Sequence, residues 1–357
     1  MDDYSDPSQN KADLAAVMHG DAREILPVFD DNTFETVITD PPYGIDFTKN
    51  ERDRPRWDDS AIAFDPEFWK EISRVTQPGA NILAFGHSRT FARMSVAMED
   101  AGLTLVDTLA WIHGQGYPAG YRQLDRELRR VEAPELASAY EGWGNILRPA
   151  FEPIVMMRNL SKAESLPQAI AEGGSGGLNI RGSRIPSGSE NRSRSPGRYN
   201  PATTWRVSRP EGNRSTPPVE GRHPGNVLLQ HTIDCRGEVC DDSCPVVQVQ
   251  RQGRATRGRN ENAARFYQSF LHHPKAAESE RPHVDGVVGP TVKPLGVMEW
   301  LVNLAARPGD LVLDPFAGTG STLAACSNAG IRSVGIERES AYIPLIAQRL
   351  ERNTPSQ

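Results

Sequence analysis

Apolar positions along this chain follow two periods in turn. Short unbroken runs such as TVITD (36–40), NILAFG (81–86), LTLVDTLAWI (103–112) and IRSVGIER (331–338) predict buried strands. Between them, apolar residues recur at every third or fourth position. FDPEFWKEISRVTQPG (64–79) places Phe68, Trp69, Ile72 and Val75 on one stripe behind an Asp65 cap, with Pro78-Gly79 as the expected stop. SRTFARMSVAMEDAG (88–102) and KPLGVMEWLVNLAARPGD (293–310) repeat the pattern, as do STLAACSNAG (321–330) and SAYIPLIAQRLERN (340–353). VMHGDAREILPVF (17–29) reads as a short strand, a turn at His19-Gly20-Asp21, and a helix carrying Ile25 and Leu26. Strands alternating with helices predict an α/β fold, a doubly wound and mostly parallel sheet with right-handed crossovers.

The pattern lapses in the middle of the chain. From Arg181 to Arg222 there are nine arginines, no lysine and three acids, a balance of +6; from Gln250 to Gln268 five more arginines face one acid, adding +4. Gly, Ser and Pro are dense there. Two readings stand side by side: a solvated irregular insertion, or a basic surface that follows phosphates. Exclusive use of arginine leans toward the second, because guanidinium pairs bidentately with phosphate and with guanine edges. Arg192, Arg194 and Arg198 represent this face. The predicted organisation is an α/β half over 1–157, a basic insertion over 158–275, and a returning α/β half over 276–357.

Composition narrows the picture further. The chain has 357 residues, 38% hydrophobic and 24% charged, with a formal net charge of −6, so any polyanion surface must be local. The acidic, polar start MDDYSDPSQNKADLAA is unlike a signal peptide, and no apolar run approaches the roughly 18 residues that span a bilayer. The expected location is cytoplasmic, without membrane contact.

Two motifs carry chemistry. In the first, Asp40-Pro41-Pro42-Tyr43 follows an apolar strand, setting a carboxylate, a rigid kink and an aromatic ring side by side. In the second, LVLDPFAGTGST (311–322) places Asp314 after a strand and Gly318 and Gly320 in the turn before a helix, where backbone N–H groups can approach a ligand. Glu337 ends the next strand and is suited to accept from ribose hydroxyls. The G-T-G spacing disfavours a nicotinamide site, which would show G-x-G-x-x-G.

The pair resembles the S-adenosylmethionine-dependent amino-methyltransferases, whose cofactor motif is FxGxG and whose catalytic motif is D/N/S-PP-Y/F. The order, with DPPY first, then a basic variable region, then FAGTG, resembles the β group of DNA adenine-N6 and cytosine-N4 enzymes. Segments such as GQGYP, RPAFEPIVMMR, GGLNI and RHPGNVLL resemble phage and prophage members of that group. The resemblance implies a methyltransferase-type sheet with a target-recognition insertion. It implies Asp40, Pro41, Pro42 and Tyr43 as catalytic residues. It assigns S-adenosyl-L-methionine to Asp21, Lys293, Pro294, Asp314, Phe316, Gly318, Gly320, Ser321, Thr322 and Glu337. The implied partner is double-stranded DNA; a homodimer and a cognate restriction endonuclease are left open. The implied reaction is transfer to adenine N6 after base flipping. Cytosine N4 is the enzymatic alternative, and a DNA-binding module that retains a cofactor fold is the non-catalytic one.

Weaker signals remain. His231, Cys235, Cys240 and Cys244 in HTIDCRGEVCDDSCPV are four soft ligands for a structural zinc, although C-x₄-C-x₃-C is not a standard ribbon spacing, and His272-His273 offers a substitute. The bland reading is a loop with reduced cysteines. Cys326 reads as packing. Trp111 and Tyr117 either line a target pocket or pack on the sheet, and His87 reads as a loop residue.

Overall fold

The computed structural model describes residues 14–45, 61–113, 123–145, 149–161, 163–185, 221–232, 239–242, 244–252, 267–270, 282–284, 286–288 and 292–352, with residues 147 and 235. Nine strands form one sheet: β1 (Ala15–His19), β2 (Phe34–Thr39), β3 (Thr76–Phe85), β4 (Thr104–Ile112), β5 (Phe151–Arg158), β6 (Val227–Gln230), β7 (Gln268–Phe270), β10 (Leu311–Asp314) and β11 (Arg332–Glu337). β8 (His283–Val284) and β9 (Val287–Val288) pair separately. The spatial order is β1-β11-β10-β2-β3-β5-β4-β6-β7. Every neighbouring pair is parallel except the two made by β5, which runs against both β3 and β4.

The apolar runs are continuous because both faces of the sheet are covered. Val37, Ile82, Ala84, Val155, Met157 and Leu313 point to one side, where helices Pro66–Val75 and Phe91–Asp100 bury Trp69, Ile72 and Met98. Their neighbours Ile38, Leu83, Phe85, Ile154, Met156 and Val312 point to the other, against helices Leu295–Ala305 and Ser321–Asn328. The alternation is the period of two that a pleated strand imposes. Cys326 is wholly buried in the second cluster, as expected for packing.

Two details differ from the sequence reading. The helix starting at Pro66 ends at Val75, before Pro78-Gly79, and the chain passes directly into β3. Thr76 closes the helix by donating Oγ1–H to the Ile72 carbonyl at 2.7 Å. Pro78-Gly79 instead kinks the strand: the β2–β3 register shifts between Phe34 and Thr36, and Gly79 takes φ +86° against the Ser175 carbonyl. Second, part of the basic insertion is regular, since β6 and β7 extend the sheet beyond β4. Arg192, Arg194, Arg198, Tyr117, His272 and His273 lie outside the described residues. Among those described, no helix is long and apolar enough to cross a membrane.

Candidate active site

The ladder register lines the two motifs up. Leu313 of β10 pairs with Val37 of β2, and Asp314 pairs with Gly335 of β11. Asp40 follows β2 and Glu337 ends β11, so both stand at the carboxyl edge of the sheet, with β10 and the turn residue Phe316 between them. Two strand spacings, about 10 Å, separate the first from the last. The carboxyl edge of the sheet thus gathers the Asp40–Tyr43 motif, the glycine turn and Glu337, where ligand sites form in open α/β sheets.

At the β2 end, four polar side chains share hydrogens. The Tyr43 hydroxyl donates to Asp40 Oδ1 at 2.7 Å and lies 3.1 Å from Glu152 Oε2. Lys293 Nζ stands 2.8 Å from Asp40 Oδ2, 3.1 Å from Glu152 Oε2 and 2.9 Å from the Tyr43 oxygen. Its ammonium also lies 4.9 Å from the centre of the Phe85 ring. His113 Nε2 approaches Glu152 Oε1 at 3.6 Å. The Thr90 hydroxyl donates to the Tyr43 carbonyl at 2.9 Å, securing the turn after Pro42.

Burial and charge set the protonation states. Burial raises the Tyr43 phenol well above its ordinary value, and the charges of Asp40 and Glu152 push it the same way. Burial alone would raise Glu152, but Lys293 and then His113 outweigh it and hold the carboxyl below its usual range. Burial would likewise lower Lys293, yet the Asp40 and Glu152 carboxylates keep it above its ordinary value. At neutral pH Glu152 is therefore a carboxylate, Lys293 an ammonium and Tyr43 a neutral phenol.

Glu152 and His113 were not anticipated as site residues. β5 runs against its neighbours, so its first residues lie where the other strands end, and Glu152 pairs with Trp111. The available signal was a lone acid in the apolar run FEPIVMMR. Trp111 packs edge-on to Phe85 with ring centres 6.2 Å apart and is 5% exposed, which favours the packing alternative. His87 lies beside Tyr43, with ring centres 6.2 Å apart.

Around the glycine turn, the expected cofactor residues divide into two groups. Glu337 Oε2 accepts from the Gly318 N–H and Oε1 from the Glu339 N–H, both at 2.7 Å. Gly20 N–H donates to the Glu337 carbonyl at 2.9 Å, holding the Asp21 turn beside it. Asp21 itself caps the short helix Ala22–Ile25 by accepting from Arg23 N–H at 2.9 Å. Gly318 has φ +54° and open space where a Cβ would stand, the nearest atom being 4.0 Å away. The Glu337 carboxylate, held by the Gly318 N–H, thus stands beside open space at the turn. The other group faces inward. Asp314 accepts from Thr39 at 2.8 Å, Thr322 at 2.5 Å and Phe316 N–H at 3.1 Å, tying β2 to the turn. Ser321 accepts from Arg349, Phe316 lies against Phe68, and Pro294 precedes helix Leu295–Ala305. Gly320 serves packing, since a Cβ there would meet Ile346 Cγ2 at 2.9 Å. Burial raises Asp314 to about 6 and Glu337 to about 7.

Comparison with known proteins matches residues 34–348 to a family described as DNA methylase, of the N6/N4 type. Type II methyltransferase M.HinfI of Haemophilus influenzae is 39% identical over 66 residues, 18% of this chain and 18% of that protein. Type II methyltransferase M2.DpnII of Streptococcus pneumoniae is 37% identical over 62 residues, 17% of this chain and 23% of that protein. The matches thus span about a fifth of either relative's length. In fold, the chain is similar to the solved cytosine-N4-specific PvuII DNA methyltransferase, with a TM-score of 0.50 and 12% identity over 95% of this chain and 90% of that one.

Proposed function

The chain belongs to the DNA methylase family of the N6/N4 type, and from that membership we propose that it methylates the N6 amino group of adenine in duplex DNA, using S-adenosyl-L-methionine. The observation that carries this reading is that Asp40, engaged by Tyr43 and Lys293, and Glu337, engaged by the glycine turn, both stand at the carboxyl edge of one sheet, which suits one to an amino group and the other to a nucleoside.

An exocyclic amino nitrogen is a poor nucleophile because its lone pair is delocalised into the ring. Two acceptors that engage its hydrogens favour a pyramidal nitrogen with the lone pair directed outward. Asp40 supplies one acceptor and the Pro41 carbonyl the other. Each carboxylate oxygen has a second lone pair, so Asp40 accepts from the amino group while retaining Tyr43 and Lys293. The bound cofactor supplies a methyl group on a cationic sulfonium. Asp40 and Glu152 flank Lys293, and these fixed groups favour the transition state by preorganised electrostatics. Once the amino nitrogen has taken that methyl group in place of the sulfur, its surplus proton would pass through the Asp40 carboxylate to water. No covalent enzyme intermediate is needed.

Tyr43, held through its hydroxyl by Asp40 and Lys293, offers a ring on which a flipped base stacks, a contact of about 1–3 kcal/mol. That offsets much of the few kcal/mol needed for extrusion. The motif at 40–43 begins with Asp, which in the resembled family leans toward adenine where Ser leans toward cytosine. Methylation-aware sequencing of DNA from cells expressing the protein tests this reading. N6-methyladenine at one sequence context is expected; N4-methylcytosine alone would move the assignment to cytosine, and no new mark would leave a binding module.

A further inference from the structure

His231, Cys235, Cys240 and Cys244 are separated in sequence by three, four and three residues, yet their ligand atoms all lie within 4.8 Å of one another. His231 Nδ1 is 3.3 Å from Cys240 Sγ and 3.5 Å from Cys244 Sγ. A tetrahedral zinc centre with Zn–S of about 2.3 Å and Zn–N of about 2.0 Å requires ligand-to-ligand edges of about 3.5–3.8 Å. All four cysteines of the chain are free thiols. We propose that these four side chains form a structural Cys₃His zinc site in the basic region between the two halves of the sheet domain.

The surroundings suit a closed structural centre. Cys244 is wholly buried, and the three cysteines pack with Leu229, Val246 and Tyr267 as a small satellite core. Asp241 N–H points at Cys235 Sγ at 3.4 Å, and the Thr232 hydroxyl lies 3.3 Å from the same sulfur. Such contacts orient and support a thiolate in zinc sites. Three thiolates and an imidazole are a soft set that selects zinc over magnesium or calcium. All four positions are filled by protein, which leaves no opening for a substrate or water and marks the site as structural.

Its place gives the metal a task. His231 follows β6, whose Leu229 pairs with Ile112 of β4, and His113 beyond Ile112 reaches Glu152. Cys244 opens the helix Pro245–Gln252. Zinc at this point clamps the last sheet-bound stretch before the second arginine-rich segment to that helix, with β4 between β6 and the strand that carries Glu152.

The full-length protein, purified with a thiol reductant and without chelator, is assayed for zinc by plasma mass spectrometry. About one zinc per chain is expected. After exchange with cobalt(II), the protein is expected to show the thiolate-to-metal charge-transfer bands and d–d absorption of tetrahedral coordination. His231→Ala, Cys240→Ser and Cys244→Ser should each cut zinc at least fivefold, whereas Cys326→Ala, remote from the cluster, should retain it. Because a cysteine variant can fail to fold, the unaltered chain is also titrated with zinc chloride after chelator treatment, and its thermal midpoint should rise. Zinc below a tenth of an equivalent after reconstitution overturns the proposal, as does a disulfide among the three cysteines or equal metal loss in Cys326→Ala.

Discussion

Lys293 Nζ sits 2.8 Å from Asp40 and 3.1 Å from Glu152, so two carboxylates from strands of opposite direction hold one ammonium. The pair Asp40–Lys293 alone would be neutral and would bind the carboxylate tightly to its cation. Glu152 shares the ammonium and leaves Asp40 available for an incoming amino group.

Replacing Glu152 by Gln should therefore slow methyl transfer without loosening the cofactor. The cluster loses one carboxylate, and Lys293 falls back on Asp40. Single-turnover methylation is expected to drop by up to about 100- to 1,000-fold, the scale of one lost preorganised electrostatic group, with cofactor affinity unchanged by calorimetry. Normal turnover in Glu152→Gln would make this carboxylate a bystander.

Asp40→Ala should abolish transfer, because the Pro41 carbonyl alone then faces the amino group. Asp40→Asn keeps one acceptor and should retain a small residual rate. Cofactor binding is expected to survive in both, since Glu337 lies two strands away and Gly318 follows the strand between. Near-normal activity of Asp40→Ala would remove the motif from the chemistry.

The two glycines of the turn should fail differently. Gly318 has open space where a side chain would stand, the space the proposed cofactor would take, whereas Gly320 is pressed against Ile346. Gly318→Ala is expected to weaken cofactor binding at least tenfold with a loss of stability of about 1 kcal/mol from its positive φ. Gly320→Val adds a steric clash to the same backbone strain and should cost about 2–4 kcal/mol of stability. Denaturant unfolding and calorimetry separate the two, and equal stability losses would contradict the division.

The strands and helices flanking the two motifs were legible because each repeats one period over many residues. Val37-Ile38, Leu83-Ala84 and Val312-Leu313 each place neighbours on opposite covered faces, and that leaves a continuous apolar run. Asp40, Gly318 and Glu337 stood out because each breaks such a run at its end. Glu152 did not, because its role depends on the reversed direction of β5, a tertiary fact with no local mark. Pro78-Gly79 misled for a related reason: the dipeptide that usually stops a helix here serves a bulge, and Thr76 already closes the helix. The inward set of Asp314, Thr39 and Thr322 was equally hidden, since sequence does not tell a carboxylate facing a ligand from one facing a neighbouring strand.

The arginine-rich segments give a salt-dependent expectation. If they form the DNA face, the log–log slope of affinity against salt is about −0.9 per neutralised phosphate. With about a third to half of their arginines on phosphate, replacing Arg192, Arg194 and Arg198 together should make the slope shallower by about one to three units. Cofactor affinity should not change. An unchanged slope together with an unchanged methylation pattern would assign DNA contact to other residues.

Cofactor binding should depend on pH through Glu337. Burial raises this carboxyl to about 7, and the N–H groups of Glu339 and Gly318 offset only part of that rise. An unfolded glutamate titrates near 4.5. Between these values the folded chain keeps a proton that the unfolded chain has lost. The contribution of Glu337 to stability is therefore full below about 4.5 and is lost as pH rises through about 7. Ribose hydroxyls donating to this group require the ionised form, so cofactor affinity should run the opposite way. It should rise by up to tenfold per pH unit below about 7 and level off above it. Binding at pH 7 should release a fraction of a proton, read from calorimetry in buffers of different ionisation heat. Asp314, raised to about 6, titrates nearby, but its oxygens are engaged by Thr39, Thr322 and the Phe316 N–H. Glu337→Gln separates the two carboxyls. It should bind weakly at every pH, lose the rise between about 6 and 7, and no longer lose stability across that window. An affinity that stays flat from about pH 5.5 to 8 in the unaltered protein would show that Glu337 does not carry the ribose contact.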